Sequence, residues 1–183
     1  FRSHLLPFDI AETNISYYAL CALMFSVGLS VGNDPQTLKN FRSLNPRLVF
    51  LPIMTILGTL AGSAAVSLIL THRSITDCLA VGSGFGYYSL SSIFITEYKG
   101  AELGTIALLA NISREILTLL AAPLLVRWFG NLAPISAGGA TTMDTTLPII
   151  TRTAGQQFVV VSIFHGFVVD FSVPFLVTLF CSI

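Results

Sequence analysis

Long apolar runs separated by short polar clusters organise the chain. Asp, Glu, Lys and Arg are absent from 13–33, from 48–71 and from 78–96. Each run approaches or exceeds the ~20 residues that a helix needs to cross ~30 Å of hydrocarbon. The pattern predicts spanning helices over 14–32 and 48–70.

The second half of the chain predicts two more long helices, over 103–126 and about 156–182. Before each helix lies a segment rich in Gly, Ser and Thr: "SGFGYYSLSS", within 76–96, and "ISAGGATTMDTTLP", within 131–150. We therefore predict an all-α polytopic membrane protein with about six membrane segments, in which these two segments are broken or re-entrant.

An internal repeat with a spacing of 55 residues links the two irregular segments. At this spacing Gly100 corresponds to Gly155 and Glu115 corresponds to Asp170. The identity is low, and the alternative is chance similarity between two membrane segments. We predict one membrane domain over 1–183, which comprises two scaffold helices in 1–74 and two repeat units, 75–130 and 131–183.

The composition supports a membrane protein. The 183 residues are 54% hydrophobic and only 10% charged, with a mean hydropathy of +0.81, whereas soluble domains carry about 25% charged residues. A net charge of zero argues against a nucleic-acid partner. The three cysteines are odd in number and lie in or beside apolar runs, which is typical of small hydrophobic residues and not of disulfides or metal ligands. Because the sequence also has no phosphate loop, CxxC pair or HExxH motif, we expect no metal site and no cofactor.

The basic residues predict how the chain is oriented in the membrane. Lys39, Arg42 and Arg47 form the densest basic cluster and follow the first predicted helix. By the positive-inside rule this loop is cytoplasmic. We expect a multi-pass protein of the cytoplasmic (inner) membrane with both termini outside.

The two irregular segments are candidates for a binding site. Glycine and proline interrupt the helical ladder and free backbone N–H and C=O groups. In the bilayer core such groups are tolerated only where protein or a water-filled cavity satisfies them, and two such segments indicate a transporter's binding site. The alternative is a kinked, close-packed helix pair. The candidate substrate-binding residues in these segments are Ser83, Gly84, Phe85, Gly86, Tyr87, Tyr88, Ser89, Gly138, Gly139, Thr141, Thr142 and Asp144.

Charged residues at membrane depth are costly and are functional candidates by default. Glu115 is the strongest, because helical spacing places it on one polar face with Asn111 and Thr118, and we count both Asn111 and Glu115 among the substrate-binding residues. Arg114 points about 100° away from Glu115. We expect it to pair with Asp144 or Asp170, either in the mechanism or as a structural ion pair.

Two further side chains have both a functional and a structural interpretation. Asp144 faces a cavity or caps a helix over 146–150. His165 relays protons or is hydrogen-bonded between helices. We predict a role in ion coupling or in ion pairing for four residues, namely Glu115, Arg114, Asp170 and His165.

Several motifs resemble the lysine exporter LysO family of prokaryotic membrane proteins. They are "SGFGYYSLSS", "LGTIALLANISREI", "GGATTMDTTLPII" and "HGF…VPFL", and "LMFSVGLSVGNDPQTLKN" resembles the segment that opens the second half of that family. Tyr87 stands where the family usually has Trp, and Asp170 stands where no acid is expected. Full-length members also carry a preceding membrane portion. The resemblance therefore implies a partner, which is either a separate chain for that half or a second copy.

The resemblance implies export of L-lysine, and of cationic analogues such as thialysine, with Glu115 and Asp144 as the acids of the matching motifs. The leading hypothesis is a secondary transporter, not an enzyme, that works by alternating access and is coupled to protons or another ion. One alternative is an intramembrane hydrolase that uses Ser83 or Ser89 with His165, or an acid dyad of Asp144 and Asp170. The other alternative is a passive channel subunit.

Overall fold

The computed structural model describes residues 46–70 and 72–183, and all regular secondary structure within these ranges is helical. The prediction of an all-α protein is therefore confirmed for the described residues. The predicted helix over 14–32 and the basic residues Lys39 and Arg42 lie outside them.

Two helices precede the irregular segments. Helix α1 spans Pro46–Val49 and helix α2 spans Leu51–Ser67, where the sequence predicts a single helix over 48–70. Pro52 lies in the first turn of α2, where a missing N–H breaks no helical hydrogen bond.

Two long helices alternate with two pairs of short helices in the rest of the chain. The helices are α3 (Ile75–Gly82), α4 (Tyr88–Lys99), α5 (Ala101–Phe129), α6 (Ala133–Gly138), α7 (Leu147–Ala154) and α8 (Val159–Ser182), with 3-10 turns at Gly139–Met143 and Gln156–Phe158.

Helix α5 and helix α8 with its preceding 3-10 turn are long and apolar enough to cross a membrane, over Ala101–Phe129 and Gln156–Ser182 respectively. They match the long helices predicted over 103–126 and 156–182.

Helices α3 and α4, here called the first pair, begin and end beside the same end of α5. The Lys99 Nζ at the end of α4 lies 3.9 Å from the Asp77 Oδ1 in the first turn of α3. Arg73, just before α3, forms a salt bridge with Glu102 in the first turn of α5. The first pair therefore folds back on itself.

Helices α6 and α7, the second pair, begin and end beside the opposite end of α5. One hydrophobic cluster contains Ile135 of α6, Ala154 of α7 and Val161 of α8, with Val126 of α5 packed against it. The second pair thus also folds back, and it enters from the end of α5 that is far from Glu102.

The two pairs meet at their tips, which are residues 83–87 in the first pair and 139–146 in the second. The Ala140 N–H donates a hydrogen bond of 2.9 Å to the Phe85 carbonyl oxygen. Both tips contain residues with positive φ, namely Phe85 at 45°, Gly86 at 94° and Gly139 at 65°. Backbone groups at the tip of one pair that have no partner within a helix can therefore form hydrogen bonds with the tip of the other pair.

A glycine joins each pair to the long helix that follows it. Gly100 has φ 93° and ψ 166°, and Gly155 has φ 114° and ψ 157°. Glycine adopts this conformation at low cost because it has no Cβ. The sequence spacing of 55 residues thus places glycines with similar backbone geometry at equivalent turns.

The contact between the tips makes Gly139 intolerant of a side chain. A Cβ at this position would collide with the Phe85 carbonyl, whereas a Cβ at Gly100 would meet nothing within 4 Å among the described residues. Both positions have positive φ, so Gly100→Ala measures backbone strain alone. We expect Gly100→Ala to lower the free energy of unfolding by about 1 kcal/mol and Gly139→Ala by about 3 kcal/mol.

Thermal unfolding of the purified protein in detergent measures this difference. Equal losses of stability in the two variants would show that the tips do not approach each other closely.

Candidate functional site

Asn111 of α5 holds the first tip together. Its Oδ1 accepts a hydrogen bond of 2.8 Å from the Gly86 N–H, and its Nδ2 donates to the carbonyls of Val81 (3.1 Å) and Ala107 (2.9 Å). The side chain is only 4% exposed. Because Val81 lies before the break and Gly86 lies within it, one amide group satisfies backbone atoms on both sides.

Arg114, one turn further along α5, contacts the first tip and the end of α6 that leads into the second tip. Its Nε donates to the Ala137 carbonyl (2.7 Å) and its Nη2 donates to the Ser136 carbonyl (3.0 Å). These carbonyls lie at the C-terminal end of α6, where the helix dipole favours a cation. The guanidinium carbon also lies 5.9 Å from the centre of the Phe85 ring, within cation–π range.

The predicted pairing of Arg114 with Asp144 or Asp170 is therefore wrong. The salt bridges among the described residues are the two at the Glu102 end of α5, and neither includes Arg114. The physical reason is that a helix end leaves carbonyl groups without helical partners, and these carbonyls take the place of a carboxylate.

The buried stripe of α5 also differs from the predicted polar face. Asn111 and Thr118 are buried as expected. The line from Asn111 to Thr118 along the helix surface has Arg114 on one side and Glu115 on the other, as helical spacing requires. Arg114 reaches the first tip and the end of α6 from its side of this line. Glu115 is half-buried and has no hydrogen-bond partner among the described residues.

Two carboxylates and a phenol lie close together beside the tips. Asp170 of α8 is 4% exposed and accepts no hydrogen bond from the described residues. It lies within electrostatic range of Asp144 at the second tip, and Tyr87 at the first tip lies within range of both. Two carboxyl groups and a phenol therefore lie within electrostatic range of one another where the two pairs meet.

Asp144 does not cap helix α7. Its Oδ1 accepts hydrogen bonds from the Thr145 N–H (2.6 Å) and the Thr145 hydroxyl (3.3 Å), whereas the cap position of α7 is Thr146. The carboxylate is exposed, so it remains available to a ligand.

His165 of α8 connects the second tip to helix α2. Its Nδ1 lies 3.1 Å from the Thr142 hydroxyl, and its Nε2 lies 2.9 Å from the Thr55 hydroxyl. The Thr55 hydroxyl also donates to the Ser136 hydroxyl (3.1 Å). The fully buried ring therefore makes the hydrogen bonds between helices that we considered as the alternative to proton relay.

The described residues contain no pairing of a serine with His165, as the hydrolase alternative requires. The Ser83 hydroxyl donates to the Leu79 carbonyl (2.7 Å), and both ring nitrogens of His165 contact threonines. No activated serine results from this arrangement.

Most of the remaining candidates lie inside the tips. The buried ones are Ser83, Gly84, Phe85, Gly86, Gly138, Gly139, Thr141 and Thr142. Tyr88 and Ser89 are exposed in the first turn of α4. The sequence prediction missed Thr55 and Thr59, although two threonines one turn apart on the apolar helix α2 are a detectable signal.

A cavity of about 760 Å³ lies between α2, α3 and α5. Asn111, Arg114 and Thr59 line it at the level of the tips, and Arg73 and Asp77 line it at the Glu102 end of α5. The wall between them is mainly apolar. The cavity therefore extends from the polar residues beside the first tip to the charged loop between α2 and α3.

Comparisons with known proteins agree with the resemblance in sequence. A family described as "Lysine exporter LysO" matches residues 2–181. The "Lysine exporter LysO" of Escherichia coli is 37% identical over 177 residues, which is 97% of this chain, and the chain spans 58% of the length of that relative. A "Putative lysine exporter" of Haemophilus influenzae is 36% identical over 165 residues, covering 90% of this chain and 83% of the relative. No solved structure matches the chain significantly.

Asn111 should be essential for the stability of the first tip. Asn111→Ala removes the hydrogen bonds from the Gly86 N–H to the side chain and from the side chain to the Val81 carbonyl. A buried polar group without a hydrogen bond costs about 1–3 kcal/mol. We expect a loss of about 3 kcal/mol in unfolding free energy, measured by thermal unfolding in detergent. Ser113→Ala, at an exposed position on the same helix, is the matched control, and equal stability of the two variants would contradict the assigned role.

Proposed function

Because the chain belongs to the lysine exporter LysO family, a family of transporters and not of enzymes, we propose that it is a multi-pass secondary transporter that exports L-lysine across the inner membrane. The observation that carries this proposal is the hydrogen bond between the Ala140 N–H and the Phe85 carbonyl. It joins two polar, non-helical segments beside the middle of a helix long enough to span a membrane. Such segments at membrane depth are typical of a transporter's binding site.

In this proposal the two pairs are re-entrant hairpins that enter from opposite faces of the membrane. The contact of Lys99 with Asp77 supports a first pair that returns to its starting face, and the cluster around Ile135 supports the same for the second pair. Residues 75–130 and 131–183 are then repeat units of opposite direction. Inverted repeats of this kind are the usual architecture behind alternating access.

The acidic side chains beside the tips are the groups proposed to bind the ammonium groups of lysine. Asp170 is nearly buried and unpartnered among the described residues, and Asp144 and Tyr87 are close to it. A buried carboxylate is costly unless a cation pairs with it. Cationic analogues such as thialysine offer the same ammonium groups and belong to the proposed substrate range.

Glu115 is the proposed coupling residue. It follows Arg114 near the middle of α5, half-buried and without a hydrogen-bond or ion-pair partner among the described residues. Loss and gain of a proton at this carboxylate would change its attraction for a bound cation and would link lysine export to a proton gradient. A coupling ion other than the proton, and a partner chain or second copy, remain predictions from the sequence.

Lysine efflux from vesicles tests the function directly. Vesicles that contain the purified chain and labelled L-lysine should release it with saturable kinetics that depend on the pH gradient. Release that stays linear with lysine concentration and ignores the gradient would favour the passive channel. Vesicles that release no more lysine than protein-free vesicles would overturn the proposal.

Removal of a carboxylate beside the tips should lower transport without unfolding the chain. A hydrogen bond to a charged group contributes about 1.5–3 kcal/mol, so Asp144→Asn and Asp170→Asn should each weaken lysine export about tenfold or more. Glu115→Gln should abolish the pH dependence of efflux. Glu97→Gln, at an exposed position on α4, is the control, and an equal effect of all four substitutions would remove the three acids from the mechanism.

A further inference from the structure

Arg114 has donor groups that the described residues leave unused. A guanidinium carries five N–H groups. The Nε and one Nη2 hydrogen contact the carbonyls of Ala137 and Ser136, and Nη1 has only a long contact of 3.4 Å with the Thr59 hydroxyl. The edge formed by Nη1 and Nη2 therefore keeps free donors.

The described residues also place no carboxylate beside the charge of Arg114. No carboxylate of the described residues forms a salt bridge with it, although it lies near the middle of the membrane-length helix α5. Backbone carbonyls satisfy hydrogen bonds, but they carry no net charge. A cation in this environment is stabilised by any anion that can reach it.

An anion can reach Arg114 through the cavity between α2, α3 and α5. Arg114 lines this space of about 760 Å³ together with Asn111, Thr59 and Ser63, all of them polar. The cavity extends to Arg73 at the Glu102 end of α5. It is therefore large enough for a small amphiphilic molecule and has a cation at its inner end.

We propose that the free edge of Arg114 binds the α-carboxylate of the transported amino acid, which reaches it through this cavity. The planar guanidinium matches a carboxylate with two parallel N–H donors. This inference rests on the proposed function and adds the recognition of the carboxylate to it.

The assignment also gives a reason for selectivity against diamines. Cadaverine and lysinamide carry the cationic groups of lysine but no carboxylate. If Arg114 binds the carboxylate, cadaverine and lysinamide leave the charge of Arg114 unpaired. A site that binds a polar group discriminates strongly against an analogue without that group.

Binding of lysine and lysinamide to the purified full chain tests this assignment. Each is measured by competition with labelled L-lysine, in the unaltered chain, in Arg114→Gln and in Arg114→Lys. The unaltered chain should prefer lysine over lysinamide by about 30-fold or more, because the charged hydrogen bonds to the carboxylate are lost in the amide. Arg114→Gln should reduce this ratio to about threefold or less by weakening lysine alone.

Two further measurements keep the test decisive if Arg114→Gln does not fold. Arg114→Lys keeps the charge and should give an intermediate ratio. Arg127→Gln, in the last turn of the same helix and exposed, should leave the ratio unchanged. A ratio near one in the unaltered chain would overturn the assignment without any variant.

The outcomes separate this inference from the proposed function. If the unaltered chain exports lysine and Arg114→Gln keeps the full ratio, the carboxylate site at Arg114 is wrong and the export proposal stands. If the unaltered chain neither binds nor exports lysine, both are wrong. A ratio that collapses only in the Arg114 variants supports the assignment.

Discussion

Peptide groups that leave a helix inside a membrane need partners, because no water is present to supply them. This constraint governs the described residues. The two tips expose N–H and C=O groups, and they satisfy them on each other, through Ala140 and Phe85, and on α5, through Asn111 and Arg114. The polar interior of the protein exists because these three sets of hydrogen bonds hold the non-helical backbone in place.

Helix α5 serves both pairs at once. Asn111 contacts the first tip and Arg114 contacts the end of α6 just before the second tip, and the two side chains are one helical turn apart. A shift of either tip therefore changes contacts on the same turn of the same helix. The side chains that satisfy the backbone also border the space where we place the substrate, which provides a direct physical link between substrate binding and the positions of the tips.

The sequence predicted the two long helices, but not the course of the short helices that precede each of them. Helices α5 and α8 follow from long apolar runs, and the tips follow from clustered glycine, serine and threonine. Helices α3 and α4 contain 8 and 12 residues, so end to end they would span about 30 Å, the thickness of the hydrocarbon. Length alone thus permits both a crossing and a fold-back. The carbonyl partners of Arg114 were not predictable either, because every residue type carries a backbone carbonyl.

The ends of the two pairs carry an equal number of permanent positive charges. Arg73 and Lys99 lie at one end of α5, and Arg127 and Arg152 lie in the last turns of α5 and α7 at the other. Topology in membranes follows the imbalance of lysine and arginine across the bilayer. Arg47 of α1 precedes Leu48, which packs against the cluster around Ile135. The described residues therefore place two basic residues at the Glu102 end of α5 and three at the other end, which is a small difference. The densest basic cluster of the sequence is Lys39, Arg42 and Arg47, so by this rule the segment before α2 has the strongest influence on how the described helices are oriented in the membrane.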